Sequence, residues 1–155
     1  MLTITQTPKA DHVLVTLSGI VDEDATFEGI QPLVALPMKF DCSGIKRFNS
    51  IGIKMWIMEF EKLRDRKIVF DFFSCPPLFV EQLNNFANFN CGGRVRSIQV
   101  PFTCGAFGNQ FSLTCDLAVL KAPVTVIPDS PCPNCKAPAS FDDLVEEYFS
   151  FINRG

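Results

Sequence analysis

Ser50-Ile51-Gly52-Ile53-Lys54-Met55-Trp56-Ile57-Met58-Glu59-Phe60-Glu61-Lys62-Leu63 carries the clearest periodic pattern in the chain. Ile53, Trp56, Ile57, Phe60 and Leu63 recur at spacings of three and four, so they line one face of a helix from about Ile51 to Leu63. Ser50 stands where an N-cap hydroxyl would satisfy an orphan backbone N–H. Arg64-Asp65-Arg66-Lys67 closes the run with positive charge near the negative end of the helix dipole.

Strand patterns flank this helix on both sides. Leu2-Thr3-Ile4-Thr5 alternates apolar and polar residues, and Val13-Leu14-Val15-Thr16-Leu17 is a denser strand ended by Ser18-Gly19. Asp22-Glu23-Asp24 then opens a weakly patterned stretch in which Pro32 and Pro37 limit any helix to a short one. Met38 to Cys42 reads as a short buried strand stopped by Ser43-Gly44. Beyond the helix, Ile68 to Phe73 is a buried strand and Pro76-Pro77 opens a second helix through Leu78, Phe79, Leu83 and Phe86. Gly92-Gly93 turns the chain into a strand from Val95 to Val100.

Composition shifts at Pro101, after which Pro, Cys and turn residues dominate to Ser140. Two strand-like runs, 110–115 and 123–127, lie in this part. The end reads as an amphipathic helix with Ser140 as N-cap and Phe141, Leu144, Val145, Tyr148, Phe149 and Ile152 as its apolar stripe. The expected organisation is therefore α/β: a mixed β-sheet backed by helices over residues 1–98, a small β-rich ribbon-like extension over 99–140, and a C-terminal helix over 141–155.

An apolar fraction of 47% against 20% charged residues points to a folded domain, not a disordered chain. Sixteen Phe against one Trp and one Tyr favour a core without polar groups to satisfy. The net charge of −3 provides no long-range attraction to nucleic acid or an anionic membrane. Every apolar stretch is interrupted well before the roughly 20 residues a membrane span needs, and Met1 to His12 has no export-signal pattern. A cytoplasmic location is expected, where seven cysteines serve as buried thiols or metal ligands and not as a disulfide framework.

Three local motifs carry a family resemblance. Gly19-Ile20-Val21-Asp22 closes the second strand, Asp41-Cys42-Ser43 closes the third, and Phe48-Asn49-Ser50-Ile51-Gly52-Ile53 opens the long helix. In order and spacing they resemble the G-x-L-D, D-x-S and apolar-D-S-S-G-L signatures of the STAS family, the anti-sigma-factor antagonists, over residues 1–98. The resemblance implies a non-enzymatic, bacterial-type regulatory domain that docks on another protein, a kinase-like regulator. It also implies a phosphorylatable serine at the helix start, where free N–H donors and the dipole tolerate phosphate. Asn49 replaces the family's Asp, and Ile51 replaces its second Ser, the usual phosphoacceptor. Ser50 is then either a helix cap or a substitute phosphoacceptor. The expected contact patch comprises Asn49, Ser50, Ile51 and Lys54 with Asp22, and Asp41 either belongs to it or caps its own turn.

Cys132-Pro133-Asn134-Cys135 has the C-x-x-C spacing of a zinc knuckle, and structural zinc takes four ligands. A partner knuckle falls at Cys104, but Phe107 occupies the place of its second cysteine. Three arrangements fit this tail. Zinc is held by Cys104, Cys132 and Cys135 with Cys115 or another group as the fourth ligand; or Phe102, Phe107 and Phe111 fill a metal-free ribbon; or Cys132 and Cys135 form a redox pair, which lacks the expected helix start. Cys42, Cys75 and Cys91 sit in or beside apolar runs as buried thiols.

No nucleophile elbow, phosphate loop or metalloprotease helix is present in the sequence, and the lone His12 borders a strand, so no catalytic residues are assigned. Lys62 to Lys67, Arg94 and Arg96 are interleaved with acids, the pattern of a solvated face. Two other functions stay open: a structural scaffold or assembly component without a switch, and nucleic-acid binding through the ribbon.

Overall fold

A computed structural model describes residues 1–154. Leu2–Pro8 (β1), Val13–Val21 (β2), Met38–Phe48 (β3), Phe70–Phe73 (β4) and Arg94–Val95 (β5) form a five-stranded sheet in that order. The first pair is antiparallel and the rest are parallel, which makes the sheet mixed. In β2, Val13, Val15 and Leu17 are buried while Leu14, Thr16 and Ser18 are half-buried, the alternation of a strand with one face in the core.

Two helices, Ser50–Asp65 (α1) and Pro77–Asn85 (α2), cover that face. Trp56 and Phe60 of α1 and Phe79 of α2 all pack on Phe72 of β4. Trp56 also stacks on Phe89 at 5.4 Å and donates its indole N–H to the Phe89 carbonyl at 3.1 Å. Each fully buried Phe contributes about 1.5–3 kcal/mol of transfer free energy, so this aromatic cluster dominates the core of the first sheet. Gly52, Trp56, Phe60 and Leu63 are the buried stripe of α1. Ile53 and Ile57, expected on the same face, lie at its half-buried edge.

Ser43-Gly44 does not stop β3, because Gly44 pairs with Ser18 across a register shift and the strand runs on to Phe48. Residues 22–37 form turns and irregular chain without a helix, tied down by buried Ala25, Phe27 and Ile30. The run 123–127 forms no strand, although Val124 is buried.

Ser97–Cys104 (β6), Gln110–Asp116 (β7), Ser130–Pro131 (β8) and Pro138–Phe141 (β9) make a second, antiparallel sheet in the order β7-β6-β9-β8. The boundary expected after residue 98 falls inside β6. The start of this strand continues the pairing of the first sheet, since Cys75 bridges Ile98 and the Gln99 amide donates to the Cys75 carbonyl. The start of β6 is therefore tied beside the first sheet by this isolated bridge, while its ladder pairing lies in the second sheet.

The C-terminal helix expected over 141–155 is two short helices, Val145–Tyr148 (α3) and Ser150–Asn153 (α4). Ser140 lies in β9 and caps nothing; the strand pairing of Phe141 with Phe102 holds this segment extended. Arg154 donates to the carbonyls of Leu83 and Asn84, satisfying the last turn of α2. The Asn84 side chain in turn bonds the Tyr148 carbonyl and the Phe151 amide. Among the described residues no helix is long and apolar enough to cross a membrane.

Candidate functional site

The start of α1 is built by Asn49, not Ser50. Asn49 has extended backbone geometry, and its Oδ1 accepts a hydrogen bond from the Gly52 amide at 2.7 Å. Its Nδ2 donates to Glu23 Oε2 at 2.6 Å, tying the acidic turn to the helix start. The amide within Glu23 itself, and then this Asn49 donor, hold the Glu23 carboxyl below its usual value. Ser50, expected as the cap, is instead the exposed first residue of the helix.

The helix start is pressed onto the end of β2. The Asn49 amide donates to the Val21 carbonyl at 3.2 Å. A Cβ on Gly52 would lie 1.8 Å from that same Val21 oxygen, so only glycine allows the approach. Asp22 follows Val21 directly and uses its carboxylate to accept the Asp24 amide at 3.0 Å. Asp22, Glu23 and Asp24 thus stand together beside the cap.

Asp41 is not part of this constellation. It lies in the first half of β3, paired with Thr16 and Phe73, while α1 starts beyond the opposite end of the strand. Its carboxylate accepts the Ser43 amide at 3.0 Å and the Ser43 hydroxyl at 2.8 Å. Asp41 therefore stabilises its own segment of chain.

From Ser50 a groove of about 510 Å³ runs along α1, lined by Ile53, Lys54, Ile57, Met58, Glu61 and Phe86. Met58 is 55% exposed, and Ile51 beside the groove is 54% exposed. Phe86, which sequence periodicity places in the buried stripe of α2, follows the last residue of that helix and forms the far wall. The signal that could have revealed the groove is Met58, an apolar residue of α1 outside the stripe that Trp56, Phe60 and Leu63 fill, standing beside the half-buried Ile53 and Ile57.

Of the basic residues interleaved with acids, Lys62, Arg64, Arg94 and Arg96 are paired with carboxylates. Arg94 and Arg96 both face Asp71, at 3.6 and 3.0 Å, and Lys62 faces Glu59. This is the mixed-sign surface expected from their interleaving.

In the second sheet, Cys104, Cys132 and Cys135 come together, with their Sγ atoms all within 4.8 Å of one another. Cys104 and Cys135 are 3.4 Å apart. The Cys135 and Asn134 amides, with the Asn109 side chain, pull the Cys132 thiol down to about 6. The Ala137 amide lowers the Cys135 thiol, but the neighbouring Cys104 and Cys132 thiols and burial outweigh it and raise that group. Cys115 is not brought to this cluster; its Sγ faces the Asp116 carbonyl in β7. Phe102 and Phe111 stack at 5.6 Å as the apolar-filling arrangement requires, but Phe107 is 79% exposed and fills nothing. Cys42, Cys75 and Cys91 are buried, as their surroundings suggested.

Compared with known proteins, the chain matches no family model and no curated protein.

Proposed function

We propose that this protein is a STAS-like regulatory docking module, whose partner is a protein that lays an amphipathic helix along α1 beside the Asn49 cap. The observation that carries this proposal is the groove that starts at Ser50 and is walled by Ile53, Ile57, Met58 and Phe86. From Ser50 to Glu61 it spans roughly 16 Å at 1.5 Å per residue, enough for about three turns of a partner helix. Such a helix would present apolar side chains at i, i+3 or i+4, and i+7. The mixed sheet backed by α1 and α2 is compatible with the STAS resemblance, which supplies the regulatory sense of the proposal.

A switch in this protein would run through Ser50, because Ile51 cannot accept phosphate. Ser50 is exposed, at the mouth of the groove, and free of the capping role that Asn49 fills. A phosphate there would add about −1.5 to −2 charges beside Asp22, Glu23 and Asp24. The partner would then have to bury an apolar face against concentrated negative charge, which disfavours docking.

The test is co-purification from the protein's own cells. Met58→Asp should lose a defined regulatory protein that wild type retains, while Val126→Asp, at a 75% exposed site elsewhere, should keep it. Equal recovery with both variants would reject the groove as the docking surface.

A further inference from the structure

We infer that Cys104, Cys132 and Cys135 form a three-thiolate zinc site whose fourth coordination position, at Phe107, is open to an exogenous ligand. The inference rests on two turns of the same construction. In the first, the Cys104 amide donates to the Asn109 carbonyl at 2.8 Å and the Gly108 amide donates to the Cys104 carbonyl at 2.9 Å. In the second, the Cys132 amide donates to the Ala137 carbonyl at 2.8 Å and the Lys136 amide donates to the Cys132 carbonyl at 2.9 Å. Gly108 and Lys136, at matching places, both have positive φ, 72° and 64°.

The matched turns fix which residue stands at each corner. Cys104 corresponds to Cys132, and Phe107 corresponds to Cys135. Three corners therefore carry sulfur. Four thiolates at about 2.3 Å from zinc in a tetrahedron lie about 3.8 Å apart. The 3.4 Å separation of Cys104 and Cys135, with all three sulfurs inside 4.8 Å, fits that spacing. Soft thiolate donors select zinc over the hard divalent cations.

The fourth corner is left to solvent. Phe107 supplies no donor and is 79% exposed. Cys115, the other cysteine of this sheet in the described chain, is directed to Asp116. Asn109 Nδ2 lies 3.6 Å from Cys132 Sγ and acts as a hydrogen-bond donor to that sulfur, an outer-sphere role that orients the ligand. A site with three protein ligands and an open fourth position binds water or a small donor molecule, unlike a closed four-thiolate site. Binding releases the remaining thiol protons to solvent, so that all three sulfurs bind as thiolates.

The test uses the full chain, stripped of metal and titrated with Zn(II) and Co(II). One equivalent should bind, with a thiolate-to-cobalt charge-transfer band that is lost in Cys104→Ser and in Cys135→Ser. Trp56 fluorescence reports that the first sheet stays folded in these variants, since its ring lies in that core. Imidazole should shift the cobalt ligand-field bands of the wild type. Phe107→Cys should abolish that shift and tighten metal binding by about tenfold or more, by supplying the fourth thiolate. Metal binding that survives both Cys→Ser substitutions, or no binding at all, would overturn the site. A wild-type cobalt spectrum indifferent to imidazole would overturn the open position.

Discussion

Asn49 Oδ1 accepts the Gly52 amide at 2.7 Å and sets the start of α1, while the Asn49 backbone amide donates to the Val21 carbonyl at 3.2 Å and ties that start to β2. The same side chain reaches Glu23 through its amide nitrogen, so one residue joins the acidic turn after β2 to α1. Ser50 is thereby left exposed at the entrance to the groove.

Removing this cap should cost more than removing the neighbouring hydroxyl. Asn49→Ala is expected to lower stability by about 1 kcal/mol, within the range for lost N-caps. Ser50→Ala should change it by less than about 0.5 kcal/mol, as for an exposed residue without structural bonds. Urea unfolding followed by Trp56 fluorescence measures both. If the two values were reversed, Ser50 would be the cap after all.

The Glu23 contact predicts a pH dependence. Its carboxyl is lowered from 4.5 by its own backbone amide and by the Asn49 side chain. A carboxylate whose value falls on folding stabilises the native state above its unfolded value, and that contribution is lost as pH drops through the folded value. An NMR titration should place Glu23 below 4.5 in the wild type and closer to 4.5 in Asn49→Ala. An unchanged Glu23 titration would break the link between cap and turn.

Gly52 is irreplaceable for a steric reason. The 1.8 Å approach of its would-be Cβ to the Val21 carbonyl involves backbone on both sides, so no flexible side chain can yield. Gly52→Ala should destabilise by about 3 kcal/mol or more, at the upper end for overpacking, because α1 must lift from β2. Equilibrium unfolding and near-UV circular dichroism of the Trp56 environment both report it. A near-neutral substitution would mean that α1 sits further from β2.

The parts of the fold legible in the sequence were those with strong periodicity. The α1 stripe of Trp56, Phe60 and Leu63 and the alternation in Val13-Leu14-Val15 depend on local pattern and appear where expected. Gly44 did not end β3, because pairing with Ser18 on the neighbouring strand overrides a local breaker. Ser140 matched a capping pattern, but long-range pairing of β9 with β6 claimed it first. At the helix start both Asn49 and Ser50 are good caps, and sequence alone does not fix which has the extended backbone. The three-cysteine cluster was legible from spacing, whereas the exclusion of Cys115 and the outward Phe107 depend on strand register and tertiary packing.

The docking account stands or falls on contact with a partner along α1. A photo-cross-linking residue placed at Ile51 or Met58, in cells, should trap one protein of the same mass from both positions. The position of Val126 should trap none of it. Ser50→Glu should abolish the adduct, since a negative charge at the helix start leaves the fold intact but opposes docking, while Ser50→Ala should preserve it. Adducts absent from both α1 positions, or equally strong from Val126 and indifferent to Ser50→Glu, would contradict the account.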